Sequence, residues 1–274
     1  MGKAMYFDAH VHSMASPDSE TDPVQAIRFL KSKGLGITFT EHVDFVTPTV
    51  GRDFTANDLP QSYYGTDFVC DFDMYPARYR HLRSDSVLLG LEVCLNAAFL
   101  PLNTQTVADN DYDFILGSVH YVDGIDLLDD KATSKIGADA FCRRYLTYAF
   151  DMVELCGFFD SFAHIDYIVR YYEPARKLFY YSNYPKEFDA LLKALADREL
   201  ALEINTSRLG EDGMARRLLP VYKRFKELGG RYVTIGSDAH QLGALGRHHG
   251  KAVGLAAAAG LTTAYYKERK RYIC

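Results

Sequence analysis

Apolar positions recur in two rhythms along the chain. Short apolar runs bounded by polar or glycine positions read as strands, and apolar residues three or four apart read as helix faces. Met5-Tyr6-Phe7 is a strand that runs into Asp8-Ala9-His10-Val11-His12. Asp22-Pro23 reads as an N-cap followed by proline in the first turn, Val24, Ile27 and Leu30 form one apolar face, and Gly34 closes that helix. A second strand over residues 36–40 ends in Glu41-His42. Strand, helix and strand at this spacing make a unit with parallel strands.

The alternation continues. Strands are expected over 86–91, 112–119, 158–163, 200–204 and 232–236, and helices over 138–156, 185–197 and 212–228, the last kinked at Pro220. Residues 43–85 break the rhythm with Pro48, Gly51, Pro60, Gly65 and Pro76 and many aromatic residues. A helix is expected within 73–84, and so long a connection suits a lid or binding loop. After an Ala-rich helix, the Lys267-Glu268-Arg269-Lys270-Arg271 run reads as a solvated helix face. No linker or internal repeat interrupts this order. The expectation is one α/β domain over residues 1–274 with a largely parallel sheet.

Composition narrows the classes of function. A 274-residue chain that is 48% hydrophobic can fill one large core, and α/β barrels commonly take about 250 residues as one domain. A net charge of −5 and a pI near 6.0 argue against nucleic acid or an anionic membrane as partner. Cys70, Cys94, Cys142, Cys156 and Cys274 are scattered and odd in number, which fits reduced thiols in a cytoplasmic protein. No apolar run approaches the ~20 residues of a membrane helix, and no signal-peptide core precedes the first strand.

The chemistry collects at strand ends. Residues i and i+2 of an extended segment point the same way, so Asp8, His10 and His12 can converge as the first strand ends. Later strands end in His42, Glu92, His120, His164 and Asp238 with His240. In parallel sheets these ends form the functional face. Each residue alone has an ordinary explanation: a hydrogen-bonded core histidine, or a carboxylate capping a helix. Gathered together they are costly to bury unless they share cations. Nine such groups exceed one four-coordinate site and point to two or three divalent metals with a bridging carboxylate. Such a cluster makes hydroxide available at neutral pH and steadies both attacking and leaving oxygens, which suits phosphate-ester hydrolysis. Amide or amidine hydrolysis and a non-catalytic metal-binding module stay open on the residues alone. His81, His248 and His249 lie away from the strand ends and read as surface or structural.

The motifs Asp8-x-His10-x-His12, Thr40-Glu41-His42, Glu92, Gly117-Ser118-Val119-His120, Ala163-His164-Ile165-Asp166 and Gly236-Ser237-Asp238-Ala239-His240 resemble the polymerase and histidinol phosphatase (PHP) family. The resemblance runs from residue 8 to residue 240. His120-Tyr121 followed by Asp123-Gly124 is most similar to its monofunctional histidinol-phosphate phosphatase branch. The resemblance implies a distorted seven-stranded (β/α) barrel with up to three metals. It assigns His10, His12, Glu92 and Asp238 to the first metal and Glu92, His120 and His164 to the second. It assigns His42 and His240 to the third, with Asp18 where many relatives have histidine. A hard oxygen ligand there shifts the expected preference towards Mn or Fe and away from Zn. Asp8 is then expected to orient an imidazole rather than bind metal.

The implied reaction is hydrolysis of L-histidinol phosphate by a metal-bridging hydroxide, with Glu92, Asp18 and Arg208 as the catalytic residues and Glu92 as the shared carboxylate. Arg170, Arg208 and His42 are the implied substrate-binding residues, Arg208 and Arg170 as bidentate grips on phosphate. Asp18 and water are both candidates for protonating the leaving alkoxide. Asp71 and Asp73, with neighbouring aromatic residues, are candidates for receiving the substrate's cationic groups. The alternative is a PHP enzyme acting on another phosphomonoester or a phosphodiester.

Overall fold

The computed structural model describes residues 5–45, 75–128 and 137–274. Asp71, Asp73 and most of the 43–85 connection lie outside the described residues. The first half of the chain runs β1 (Tyr6–Val11), α1 (Pro23–Ser32), β2 (Leu35–Val43), α2 (Tyr75–Tyr79), β3 (Val87–Cys94), α3 (Leu100–Ala108) and β4 (Phe114–Ser118). A small hairpin, β5 (Tyr121–Val122) and β6 (Ile125–Asp126), precedes α4 (Ala138–Leu155) and β7 (Ser161–Phe162). Then come α5 (Ile168–Tyr171), α6 (Ala175–Leu178), α7 (Pro185–Asp197), β8 (Ala201–Asn205), α8 (Met214–Glu227) and β9 (Tyr232–Gly236). The chain closes with α9 (His249–Ala259), β10 (Thr262–Lys267) and β11 (Lys270–Ile273).

The fold is α/β with a mostly parallel sheet, ordered β1-β2-β3-β4-β7-β8-β9-β10-β11. All of its pairings are parallel except β10 with β11. The two outer members of the run β1 to β9 also meet. Asp238 N donates to His10 O at 2.8 Å, and His12 N donates to Ala239 O at 3.0 Å. Those bonds sit at the C-terminal ends of both strands, beside the candidate ligands.

The expected elements form for the expected reasons. Asp22 caps α1 by accepting from Gln25 N at 2.8 Å, with Pro23 in the first turn. Helix α7 starts at Pro185 and buries Phe188, Leu191, Leu192 and Leu195. Helix α8 runs through Pro220. The strand read over 158–163 shortens to Ser161–Phe162. Alternate residues of each strand face opposite sides: Ile115 joins the large core under the helices, while Leu116 joins Ala9, Phe114, Ala163, Ala201 and Tyr266 on the other face.

The Lys267–Arg271 run is not a helix face. Residues 262–273 form an antiparallel hairpin on the sheet edge. Thr262, Thr263, Tyr265 and Tyr266 favour a strand, and Glu268 and Arg269 take the left-handed backbone of a two-residue hairpin turn. Its charges are anchors. Arg269 Nε donates to Asp160 at 2.6 Å, Lys267 pairs with Asp85 at 2.7 Å, and Glu268 N donates to Asp113 at 3.0 Å.

Candidate metal centre

Parallel strands deliver their last residues to one rim. Strand β1 supplies His10, with His12 one residue beyond its end, β2 supplies His42, and β3 supplies Glu92. His120 follows β4, His164 follows β7, and Asp238 and His240 follow β9. Asp18 comes from the β1–α1 connection. The structure brings all nine expected ligands together, and every one except Asp18 and His240 is buried.

Their spacing is informative. His10 Nε2 lies 3.0 Å from His12 Nε2, 3.2 Å from Glu92 Oε2 and 3.4 Å from Asp238 Oδ1. His12 Nε2 lies 3.4 Å from Glu92 Oε2 and 3.5 Å from Asp238 Oδ1. Glu92 turns its other oxygen, Oε1, to His164 Nε2 at 2.7 Å and His120 Nε2 at 3.1 Å, and those two nitrogens are 3.4 Å apart. A third group joins Asp18 Oδ2 to His240 Nε2 at 3.1 Å and His42 Nε2 at 3.4 Å, with 3.3 Å between the imidazoles. Ligands about 2.1 Å from a tetrahedral cation sit roughly 3.4 Å apart, so these residues fit divalent metals. His42 Nδ1 faces Glu92 Oε2 at 3.1 Å and so lies between the groups.

Three of the outward nitrogens are held as well, whereas buried His164 Nδ1 has no hydrogen-bond partner among the described residues. His10 Nδ1 meets Glu203 at 2.7 Å, and His120 Nδ1 meets Asp44 at 2.6 Å. His12 Nδ1 meets Ser16 Oγ at 3.3 Å, and Ser16 donates to buried Glu41 at 2.6 Å. Such bonds fix the tautomer and leave Nε2 free as a ligand. Without a cation, the cluster's charges act on each other. Burial and the neighbouring His42 and His240 lower the His12 pKa to about 4. Burial opposes charge on His120, yet Asp44 and Glu92 push it up to about 9. Burial likewise opposes charge on Glu92, but His10, His120 and His42 hold it well below the usual carboxylate range.

Asp8 departs from expectation. It accepts from the backbone of Ser237 at 2.7 Å and of Gly246 at 2.8 Å, and orients no imidazole. The β1–β2 register shifts between Asp8 and Val11, which breaks the two-residue repeat that would align Asp8 with His10. His249 donates towards Phe7 O at 3.3 Å, and His81 is exposed, so both are structural or surface residues.

A cavity of about 360 Å³ opens over the centre, lined by Asp18, His42, Glu92, His120, His164 and Asp238 and walled by arginines. Arg170 is nearly buried and donates Nη1 to Asp238, while its Nε and Nη2 have no partner among the described residues. Arg208 grips Glu211 with Nε at 2.8 Å and Nη2 at 2.6 Å, and its buried Nη1 has no partner among the described residues. Arg176 and Arg247 complete the wall and were not singled out in the sequence. Glu203 and Asp44 were also missed. A glutamate between Leu202 and Ile204 in a buried strand was the available signal for Glu203, since unpaired charge is rare there.

The PHP domain family profile matches residues 8–207. A Clostridium acetobutylicum protein named probable histidinol-phosphatase is 34% identical over 265 residues, covering 97% of this chain and 98% of its own. A Lactococcus lactis histidinol-phosphatase is 31% identical over 236 residues, covering 85% and 83%. The fold also matches a crystal structure of histidinol phosphate phosphatase from Lactococcus lactis, complexed with zinc, L-histidinol and phosphate. That match has a TM-score of 0.77 and 28% identity over 97% of this chain and 98% of the other.

Proposed function

The chain belongs to the PHP family, and we propose that it hydrolyses L-histidinol phosphate to L-histidinol and phosphate. The observation that carries this reading is the arrangement of donors. Five overlapping triads of metal-capable side chains, two of them containing Glu92, form the floor of a cavity whose wall presents guanidinium nitrogens without partners among the described residues. The zinc, histidinol and phosphate of the Lactococcus structure support the same substrate and metal dependence.

In this reading His10, His12, Glu92 and Asp238 hold the first metal, and Glu92, His120 and His164 the second. Asp18, His42 and His240 hold a third, and the Asp18 oxygen favours Mn or Fe there. Divalent metals at these positions supply Lewis acidity, easing deprotonation of water and offsetting charge on phosphoryl oxygens. Arg170 Nε and Nη2 and Arg208 Nη1 grip the phosphate oxygens and orient phosphorus over Glu92. Ser207 Oγ, buried beside Arg208 without a partner among the described residues, adds a donor. Asp18 acts as a ligand and not as the acid. Burial raises its pKa, but His240 and His42 hold it well below the usual range, so it carries no proton to give.

We read the parallel strands β1 to β9 as a distorted seven-stranded barrel in a single domain over residues 1–274. The hydrogen bonds joining β1 to β9 support that reading. Cys94, Cys142, Cys156 and Cys274 are free thiols, which suits a reducing compartment such as the cytoplasm. Among the described residues no helix is long and apolar enough to cross a membrane.

Phosphate release should be measured over a panel of small phosphomonoesters and one bis-aryl diester, with Mn, Fe, Zn and Mg each supplied. Histidinol phosphate should be turned over fastest by a wide margin. Comparable rates on the diester would move the assignment to a phosphodiesterase.

A further inference from the structure

Glu203 has no place in the ligand groups, yet it is fully buried near the middle of them. Its Oε1 accepts from His10 Nδ1 at 2.7 Å. Its Oε2 accepts from the backbone N of His164 at 2.8 Å and from Asn205 Nδ2 at 3.1 Å. Asn205 Nδ2 also donates to Asp238 Oδ2 at 3.2 Å. One side chain therefore touches, directly or through one amide, groups from β1, from the segment after β7 and from the segment after β9.

The surrounding backbone is shaped to admit this contact. A Cβ on Gly236 would fall 2.2 Å from His10 Cβ and 2.4 Å from Glu203 Oε1. Only glycine leaves room for the His10–Glu203 pair at that point of β9. The proton bookkeeping gives the pair its consequence. With Nδ1–H donated to Glu203, His10 Nε2 carries only a lone pair, and it faces two carboxylates and a second imidazole nitrogen. That arrangement calls for a cation at Nε2, a second proton in the metal-free protein or a divalent metal in its place.

We propose that Glu203 is a positioning residue of the centre. Its carboxylate fixes His10 as the Nδ1–H tautomer and ties the His164 backbone to the same point, so that one side chain sets donors of two neighbouring metal positions. The proposal rests on the metal-dependent reading above and is independent of which phosphoester is cleaved. Only an acceptor at both oxygens satisfies every partner. A glutamine must turn its NH₂ either to His10, forcing the proton onto Nε2 and into the ligand position, or to the His164 and Asn205 donors.

The test compares metal affinity in Glu203→Gln, Asp113→Asn and the unmodified protein by equilibrium dialysis against zinc and manganese, without substrate. Asp113 is an equally buried carboxylate away from the cluster that accepts from Leu89 N at 3.0 Å, Glu268 N at 3.0 Å and Arg83 at 2.6 Å. Glu203→Gln should bind metal about 10- to 100-fold more weakly. Excess metal should then restore kcat with KM for the phosphomonoester unchanged. Asp113→Asn should lower Tm and leave metal affinity alone. Wild-type affinity in Glu203→Gln, or equal losses in both variants, overturns the proposal. If Glu203→Gln does not fold, nitrogen NMR of imidazoles in the zinc-loaded protein decides: a proton on His10 Nδ1 supports the assignment, and one on Nε2 sinks it. Failure to cleave histidinol phosphate leaves these binding outcomes untouched.

Discussion

Glu92 faces different imidazoles with its two oxygens: Oε2 towards His10, His12 and His42, Oε1 towards His120 and His164. Its two oxygens thus reach five imidazoles, more than any other described carboxylate of the centre meets. Glu92→Gln should therefore lose more than one metal per chain by elemental analysis and lower kcat on the order of a thousandfold or more. Arg208 lines the wall of the same cavity, with two nitrogens spent on Glu211 and a third without a partner among the described residues. Arg208→Ala removes one charge-assisted grip, so KM for the phosphomonoester should rise about 10- to 100-fold with metal content unchanged. The residues that pin imidazoles from behind were harder to read in the sequence. Asp44 and Glu203 bond to histidines 76 and 193 positions away, and no local spacing records such a pairing.

At the scale of elements, strand ends explain why the ligands were legible. Each of the parallel strands that supply them terminates on the same rim, so a polar residue at its last position reaches the centre whatever the loop beyond it does. The terminal hairpin was less legible because its charged turn mimics a helix face, and only contact with Asp85, Asp113 and Asp160 shows what those charges meet. Its Tyr266 is buried, stacks on Phe114 with ring centroids 5.4 Å apart, and packs with Ala9, Leu116, Ala163 and Ala201. Tyr266→Ala should cost about 3 kcal/mol of stability by denaturant unfolding, with metal affinity retained, because the cluster lies at the opposite strand ends.

At the scale of the whole molecule, an acidic chain of net charge −5 concentrates arginines on one wall of the cavity and metal-capable side chains on the floor beneath them, the local arrangement that the proposed anionic substrate requires. Protons and metals compete for that floor. His120, pushed up to about 9 against an ordinary value of 6.5, must lose its proton to become a ligand. Metal affinity should thus fall about tenfold per pH unit below 9 for each proton displaced, measured by competition with a chelator. The metal-free protein runs the other way. The raised pKa stabilises the fold fully below about 6.5, and that contribution disappears as pH rises through about 9. Thermal melts of chelated protein across this range should show Tm falling with pH, while metal-loaded protein shows the opposite trend.

The sequence by itself determined the alternation of strands and helices, the nine metal-capable residues at or near strand ends, and the two arginines beyond them. These follow from local rules: the two-residue repeat of strands, the helix period, and the common direction of parallel strand ends. Tertiary structure decided how those residues divide into groups, which oxygen of Glu92 serves which group, and that Asp8 braces backbone amides while Glu203 holds His10. Those outcomes depend on a register shift of β1 against β2 and on contacts nearly the length of the chain apart, such as Ser237 N to Asp8. Distances of that kind are set by packing around the core, which no stretch of sequence carries alone.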